Sequence, residues 1–134
     1  MTAKCSALAA GLGLLLSAAP VFAHHSFEAE YDSKKPLTVQ GMVTKLEWTN
    51  PHARFYVDAK DESGKVTNWN FELGSPNVLT RQGWRRDSLK VGDSVTVEAY
   101  MAKDGTNLAN ARRVTLADGR KVFAGSTAGE GGPQ

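Results

Sequence analysis

The residues best suited to chemistry here are the three histidines. His24 and His25 are adjacent, and His52 closes the run Trp48-Thr49-Asn50-Pro51-His52. The pair gains weight from what precedes it. Lys4 supplies a positive start, Leu8 to Leu16 is an apolar run, and Pro20 leads into Val21-Phe22-Ala23, a small-x-small cleavage pattern. Residues 1–23 therefore read as a secretory signal peptide. Cleavage after Ala23 exposes a free amine on His24, next to its own imidazole. Such an amine and imidazole chelate Cu(II), and a second histidine completes a tetragonal nitrogen site; imidazole also suits zinc and nickel. The candidate metal ligands are His24, His25 and His52, with copper the expected ion and Glu28, Glu30 or Glu72 available as a carboxylate donor. The plainer alternative makes His24-His25 a polar chain start and His52 a hydrogen-bonded turn residue.

The signal peptide sets the compartment. A periplasmic or secreted protein is expected, with no stable membrane anchor after cleavage, because the apolar run is shorter than the roughly 20 residues needed to cross a bilayer. Cys5 is the single cysteine and lies ahead of the apolar run. It leaves with the signal, so disulfides and thiolate ligands are excluded from the mature chain. Lys4 leaves too. The whole chain carries 16 basic and 14 acidic residues, so the mature form is nearly neutral and has no electrostatic footprint for nucleic acid.

The elements that must hold these histidines read as strands. Residues 24–36 are mixed in charge and end at Pro36, which suggests an extended N-terminal arm. Leu37, Val39, Gly41 and Val43 alternate with polar residues. The parity then shifts near Thr44-Lys45 before Leu46 and Trp48, which predicts a β-bulge, and Gly41 predicts a sharp bend. Phe55, Val57 and Ala59 alternate with Arg54, Tyr56 and Asp58. After the turn 61–64, Trp69, Phe71 and Leu73 alternate with Asn68, Asn70 and Glu72. These two strands form a hairpin, and Trp48, Trp69 and Phe71 are expected in the core. Ser75-Pro76 opens a short helix to about Gln82, closed by Gly83. Strand four carries Val95, Val97, Ala99 and Met101 inward, and strand five spans about Ala111 to Leu116. A short edge piece follows at Lys121 to Ala124.

This order gives an all-β fold: a small OB-like five-stranded antiparallel barrel with one short helix between strands three and four. Closure hides sheet edges, and the long bent first strand serves both halves. The expected organisation is signal peptide 1–23, arm 24–36, OB-like domain 37–125 and a disordered Gly-rich tail 126–134.

The segments HHSFEAEYD, WTNPHARFYVD, NWNFELGSPNVL, GWRRDSLKVGDSVTVEAY and AKDGTNLANARRVTLADGRKVF resemble a family of short exported bacterial proteins known as a domain of unknown function. The resemblance runs from His24 to about Ser126. It implies export and a small β domain, and it brings no activity or assigned residue.

In OB-folds the first loop and the outer face of strands two and three commonly bind ligands. That face makes Tyr56, Asn68, Asn70 and Glu72 the ligand-binding candidates, with His52 in the adjoining loop. Tyr56 and Tyr100 also offer a stacking surface. Arg81, Arg85 and Arg86 read as a solvated face. No hydrolase or phosphate-binding motif is present, so catalysis is not expected from motifs, and a copper-dependent reaction is a third reading. The first reading is an exported module that binds a small ligand or a metal. The alternative is an accessory domain that docks on another exported protein, without metal or catalysis.

Overall fold

A computed structural model describes residues 27–123. The expected signal peptide, His24, His25 and the Gly-rich tail lie outside the described residues. The described chain is mostly β. A helical turn over 27–30 (α1) leads into β1 (Tyr31–Glu47), β2 (Arg54–Lys60) and β3 (Val66–Glu72). Then come a short helix, α2 (Pro76–Arg81), and β4 (Ser94–Ala102), β5 (Leu108–Leu116) and β6 (Lys121–Phe123). The strands form one sheet in the order β3-β2-β1-β4-β5-β6, and β3 also pairs with β5. That last pairing is parallel and short, matching Asn70, Phe71 and Glu72 to Leu108, Ala109 and Asn110.

Local sequence explains most of these elements. The hairpin of β2 and β3 pairs Phe55 with Phe71 and Val57 with Trp69, so alternation puts one face of both strands into the core. The parity shift in β1 is a real irregularity between Val43 and Lys45. At Gly41 the chain comes so close to β2 that a Cβ would lie 2.1 Å from the Asp58 carbonyl oxygen. Ser75 caps α2, its hydroxyl accepting from the Val78 amide, with Pro76 at the first turn. The helix turns Leu79 into the core.

The core joins Val39, Val43, Phe55, Val57, Phe71, Leu73, Val95, Val97, Ala109, Ala111 and Val114 with Leu79, Trp84 and Leu89. Phe55 and Phe71 stack at 5.2 Å. Trp48 and Trp69 are partly buried and pack against this core rather than inside it.

The structure departs from the sequence reading in three places. It has six strands among the described residues rather than five, because Lys121–Phe123 pairs with β5. It begins β5 at Leu108 rather than Ala111, because the extra residues pair with β3. It also carries β1 back to Tyr31, through the expected arm, and Tyr31 pairs with Ala102. Pro36 is tolerated there because the register is irregular between Tyr31 and Pro36, where a missing donor costs little. Phe27 and Tyr31 hold this stretch down. With Ala102 they form a second buried cluster, against which Tyr100 and Leu108 pack.

Candidate functional site

The outer face of the β2–β3 hairpin is a ladder of polar pairs. Arg54 faces Glu72, Tyr56 faces Asn70, and Asp58 faces Asn68. All four ligand-binding candidates therefore share one face, as the alternation predicts. Their environments divide them.

The Asn68 end is exposed and satisfied within itself. Asn68 donates to Asp58 Oδ1 at 2.7 Å and to Thr44 Oγ1 at 3.2 Å. In the middle, the Tyr56 hydroxyl donates to Glu47 Oε2 at 3.2 Å, and Lys45 lies over its ring at 5.1 Å. Lys45 also pairs with Glu47 and holds that carboxyl below its usual range. Tyr56 and Asn68 are thus tied to β1 and do not converge with Glu72. Tyr100 is not an open stacking surface either. Phe27 meets it edge-on at 6.2 Å, and Arg112 lies over its ring at 5.3 Å.

The Glu72 end is different. Glu72 is only 3% exposed, yet it is ionisable. A buried carboxylate needs charged or donating partners, and three are present. Arg54 Nη2 lies 2.7 Å from Oε2, the Tyr31 hydroxyl donates to the same oxygen at 3.0 Å, and His52 Nδ1 lies 3.4 Å from Oε1. Asn70 joins through Arg54, whose Nη1 is 3.4 Å from its Oδ1. Burial, and then the negative charge of Glu72, push the Tyr31 phenol far above its ordinary range. Tyr31 therefore stays protonated and acts as a donor.

His52 is held there by the backbone around it. It follows the cis Asn50–Pro51 peptide. The next residue, Ala53, donates its amide to Gly74 and accepts from Leu73, at 3.0 and 2.9 Å. These two bonds continue the hairpin past Arg54 and leave His52 beside Glu72.

Asn110 completes this corner. It is in register with Glu72 on β3 and with Tyr100 on β4. It is fully buried, and neither its side-chain nitrogen nor its oxygen has a partner among the described residues. Leaving a buried polar group unpaired costs roughly 1–3 kcal/mol. A side chain kept at that cost, next to a buried carboxylate, singles out this corner of the fold.

The sequence reading named His52, Asn70 and Glu72, and the structure brings them together. It missed Tyr31, Arg54 and Asn110. Arg54 was legible as the cross-strand partner of Glu72 once the hairpin register was known. Tyr31 and Asn110 carried no local signal. Among the described residues, no group of three or more His, Cys, Asp and Glu side chains could hold a metal.

A separate open groove of about 800 Å³ includes Met42, Lys60, Val66, Ser94, Thr96 and Ala117 in its lining, and none of the expected site residues borders it. No helix among the described residues is long and apolar enough to cross a membrane.

The model of a family described as a family of unknown function (DUF6152) matches residues 12–111. No curated protein and no solved structure matches significantly.

Proposed function

The chain belongs to that family of unknown function, and from the geometry we propose that it is an exported, OB-like binding module that holds a metal ion such as Cu(II) at the Glu72 corner. The barrel is supported by the β3–β5 pairing, which links the two halves of the sheet into a ring through β1, β2 and β4. Export is supported by the signal-like segment ending at Ala23.

One observation carries the metal reading. The segment just after His24 and His25 is docked, through Tyr31, on the same carboxylate that His52 approaches. Phe27, three positions after His24, thereby belongs to a segment that reaches the carboxylate beside His52, the one histidine among the described residues. Covalent geometry limits the distance from Phe27 to His24 to about 11 Å between Cα atoms. The His24 amine and imidazole, with His52, would supply a nitrogen-rich tetragonal set. His25 is a further donor. A histidine whose Nδ1 faces a carboxylate is set to bind metal through Nε2, an arrangement common at metal sites.

The test is Cu(II) titration of protein recovered after export, with intact mass confirming a start at His24. The expected stoichiometry is about one, with affinity falling steeply below about pH 6 as amine and imidazole protonate. His52→Ala should weaken binding by about tenfold or more. One extra residue ahead of His24 should weaken it too, because it displaces the amine from the chelate. Affinity and electron paramagnetic resonance spectrum unchanged by His52→Ala would refute the site.

A second reading, docking on another exported protein without metal, is favoured by the exposure of Met42 and Val66 along the open groove. Under that reading, copper binding would be indifferent to both changes.

A further inference from the structure

Residues 27–31 lie over a row of three outward-facing side chains, Glu72, Asn110 and Tyr100. On β5, Ala109 and Ala111 join the core, so alternation turns Asn110 to the opposite face. There it stands between Glu72 on β3 and Tyr100 on β4. The segment touches both flanks: the Tyr31 hydroxyl donates to Glu72 Oε2 at 3.0 Å, and Phe27 meets Tyr100 edge-on at 6.2 Å. Asn110 is thus roofed by 27–31. It is fully buried, with neither side-chain polar atom paired among the described residues.

This roof is held apart from the main core. Phe27, Tyr31 and Ala102 form their own cluster, with Tyr100 and Leu108 against it. β1 meets β4 at Tyr31–Ala102 and next at Pro36–Tyr100; the residues between are extra on β1, and Ser33, Lys34 and Lys35 are exposed. A small cluster behind an exposed, irregular stretch can open locally while the sheet stays folded.

The contacts under the roof suit a peptide. Lys103 donates its amide to the Glu30 carbonyl at 2.9 Å and its ammonium to the Glu28 carbonyl, and every peptide offers such carbonyls. Phe27 adds a ring against Tyr100, and Tyr31 a donor for Glu72. Residues 27–31 give the Asn110 side chain nothing. Its carboxamide carries an acceptor and donors side by side, the complement of a peptide group. A peptide that pairs with Asn110 gains a contact that 27–31 forgo, worth about five- to a hundredfold in Kd.

Resting on the docking reading above, we propose that residues 27–31 are a displaceable strap across a peptide-binding site. The ligand is a segment of a partner protein that carries an aromatic residue, sets its main chain on Lys103 and Asn110, and donates to Glu72.

A displayed library of random heptapeptides is selected on wild-type protein and on Phe27→Ala, which loosens the strap, with EDTA present so that copper plays no part. Kd values of the selected peptides are then measured on wild type, Phe27→Ala and Asn110→Leu. The selected peptides should carry an aromatic residue. They should bind Phe27→Ala about tenfold more tightly than wild type, because a strap that is open more often competes less. Asn110→Leu should bind them at least about fivefold more weakly, yet unfold at no lower urea concentration, since it removes a buried polar group that lacks a partner. Bound peptide should speed hydrogen exchange of amides 27–31 in the wild type. Circular dichroism checks that each variant keeps its sheet.

Failure to select any peptide would overturn the proposal, as would equal affinity for wild type and Phe27→Ala. Unchanged exchange at 27–31 would place the peptide elsewhere and overturn it too. Marked destabilisation by Asn110→Leu would make Asn110 a structural residue, with the same result. A wild-type dimer formed by exchange of straps would assign the site to a second copy instead of a partner. Each of these outcomes leaves the copper reading standing.

Discussion

Phe71→Ala is expected to lower the free energy of unfolding by about 3–5 kcal/mol, the range for emptying a buried aromatic site. Phe71 is fully buried, stacks on Phe55 at 5.2 Å and meets Trp69 at 6.3 Å. It also lies in the stretch of β3 shared between β2 and β5. Neither neighbouring strand can move in to fill the void without losing its own ladder, so little relaxation is available to reduce the cost. Urea denaturation measures it. Thr106→Ala is the matched control, because the Thr106 side chain is exposed and bonds to Asp104 in the same turn. It should change stability by less than about 0.5 kcal/mol. Similar midpoints for the two variants would mean that β3 does not have this register.

Gly41→Ala should be nearly as damaging, for the opposite reason. The added methyl would sit 2.1 Å from the Asp58 carbonyl oxygen and 2.7 Å from Val57 Cγ1. The first of these is strand backbone, not a side chain that can swing aside. β1 pairs with β2 through Met42–Asp58 and with β4 through Gly41–Val95. Relief must therefore come from separating strands on one side or the other. A loss of about 3 kcal/mol is expected, at the upper end for overpacking. Met42→Ala, one residue on, alters a half-exposed side chain and should shift stability by less than about 0.5 kcal/mol. Equal effects at the two positions would rule out the close approach of β1 to β2.

These two positions show what the sequence makes legible. Alternation of Phe55, Val57, Trp69 and Phe71 identifies the hairpin because strand periodicity is local. The parity break at Thr44-Lys45 identifies the irregularity in β1, and Ser75-Pro76 identifies α2, because bulge and cap chemistry are also local. The Glu72 corner is legible only in part. His52 and Glu72 are conspicuous as residue types, and the hairpin of β2 and β3 puts them on one surface. Tyr31 looks like one more residue of a charged arm, since nothing near it reveals that its partner is Glu72. Asn110 interrupts the alternation of strand five. The three-residue parallel pairing that buries it depends on two strands separated by a helix and β4. Periodicity reports which way a side chain faces, not what comes to cover it. Tyr56 and Asn68 show the converse: the correct face, but partners on β1 that remove them from the site.

The docking of residues 27–31 has a further consequence, in the order of folding. Tyr31 and Glu72 are 41 positions apart, and Glu28 and Lys103 are 75 apart. Closing such loops costs more entropy than closing the β2–β3 hairpin, so these contacts should form late. Pulse-labelled hydrogen exchange during refolding should find amides of β2 and β3 protected before that of Tyr31, and simultaneous protection would contradict this order. In a chain made N-terminus first, residues 27–31 therefore wait for β3, β4 and β5 before they have a surface to dock on.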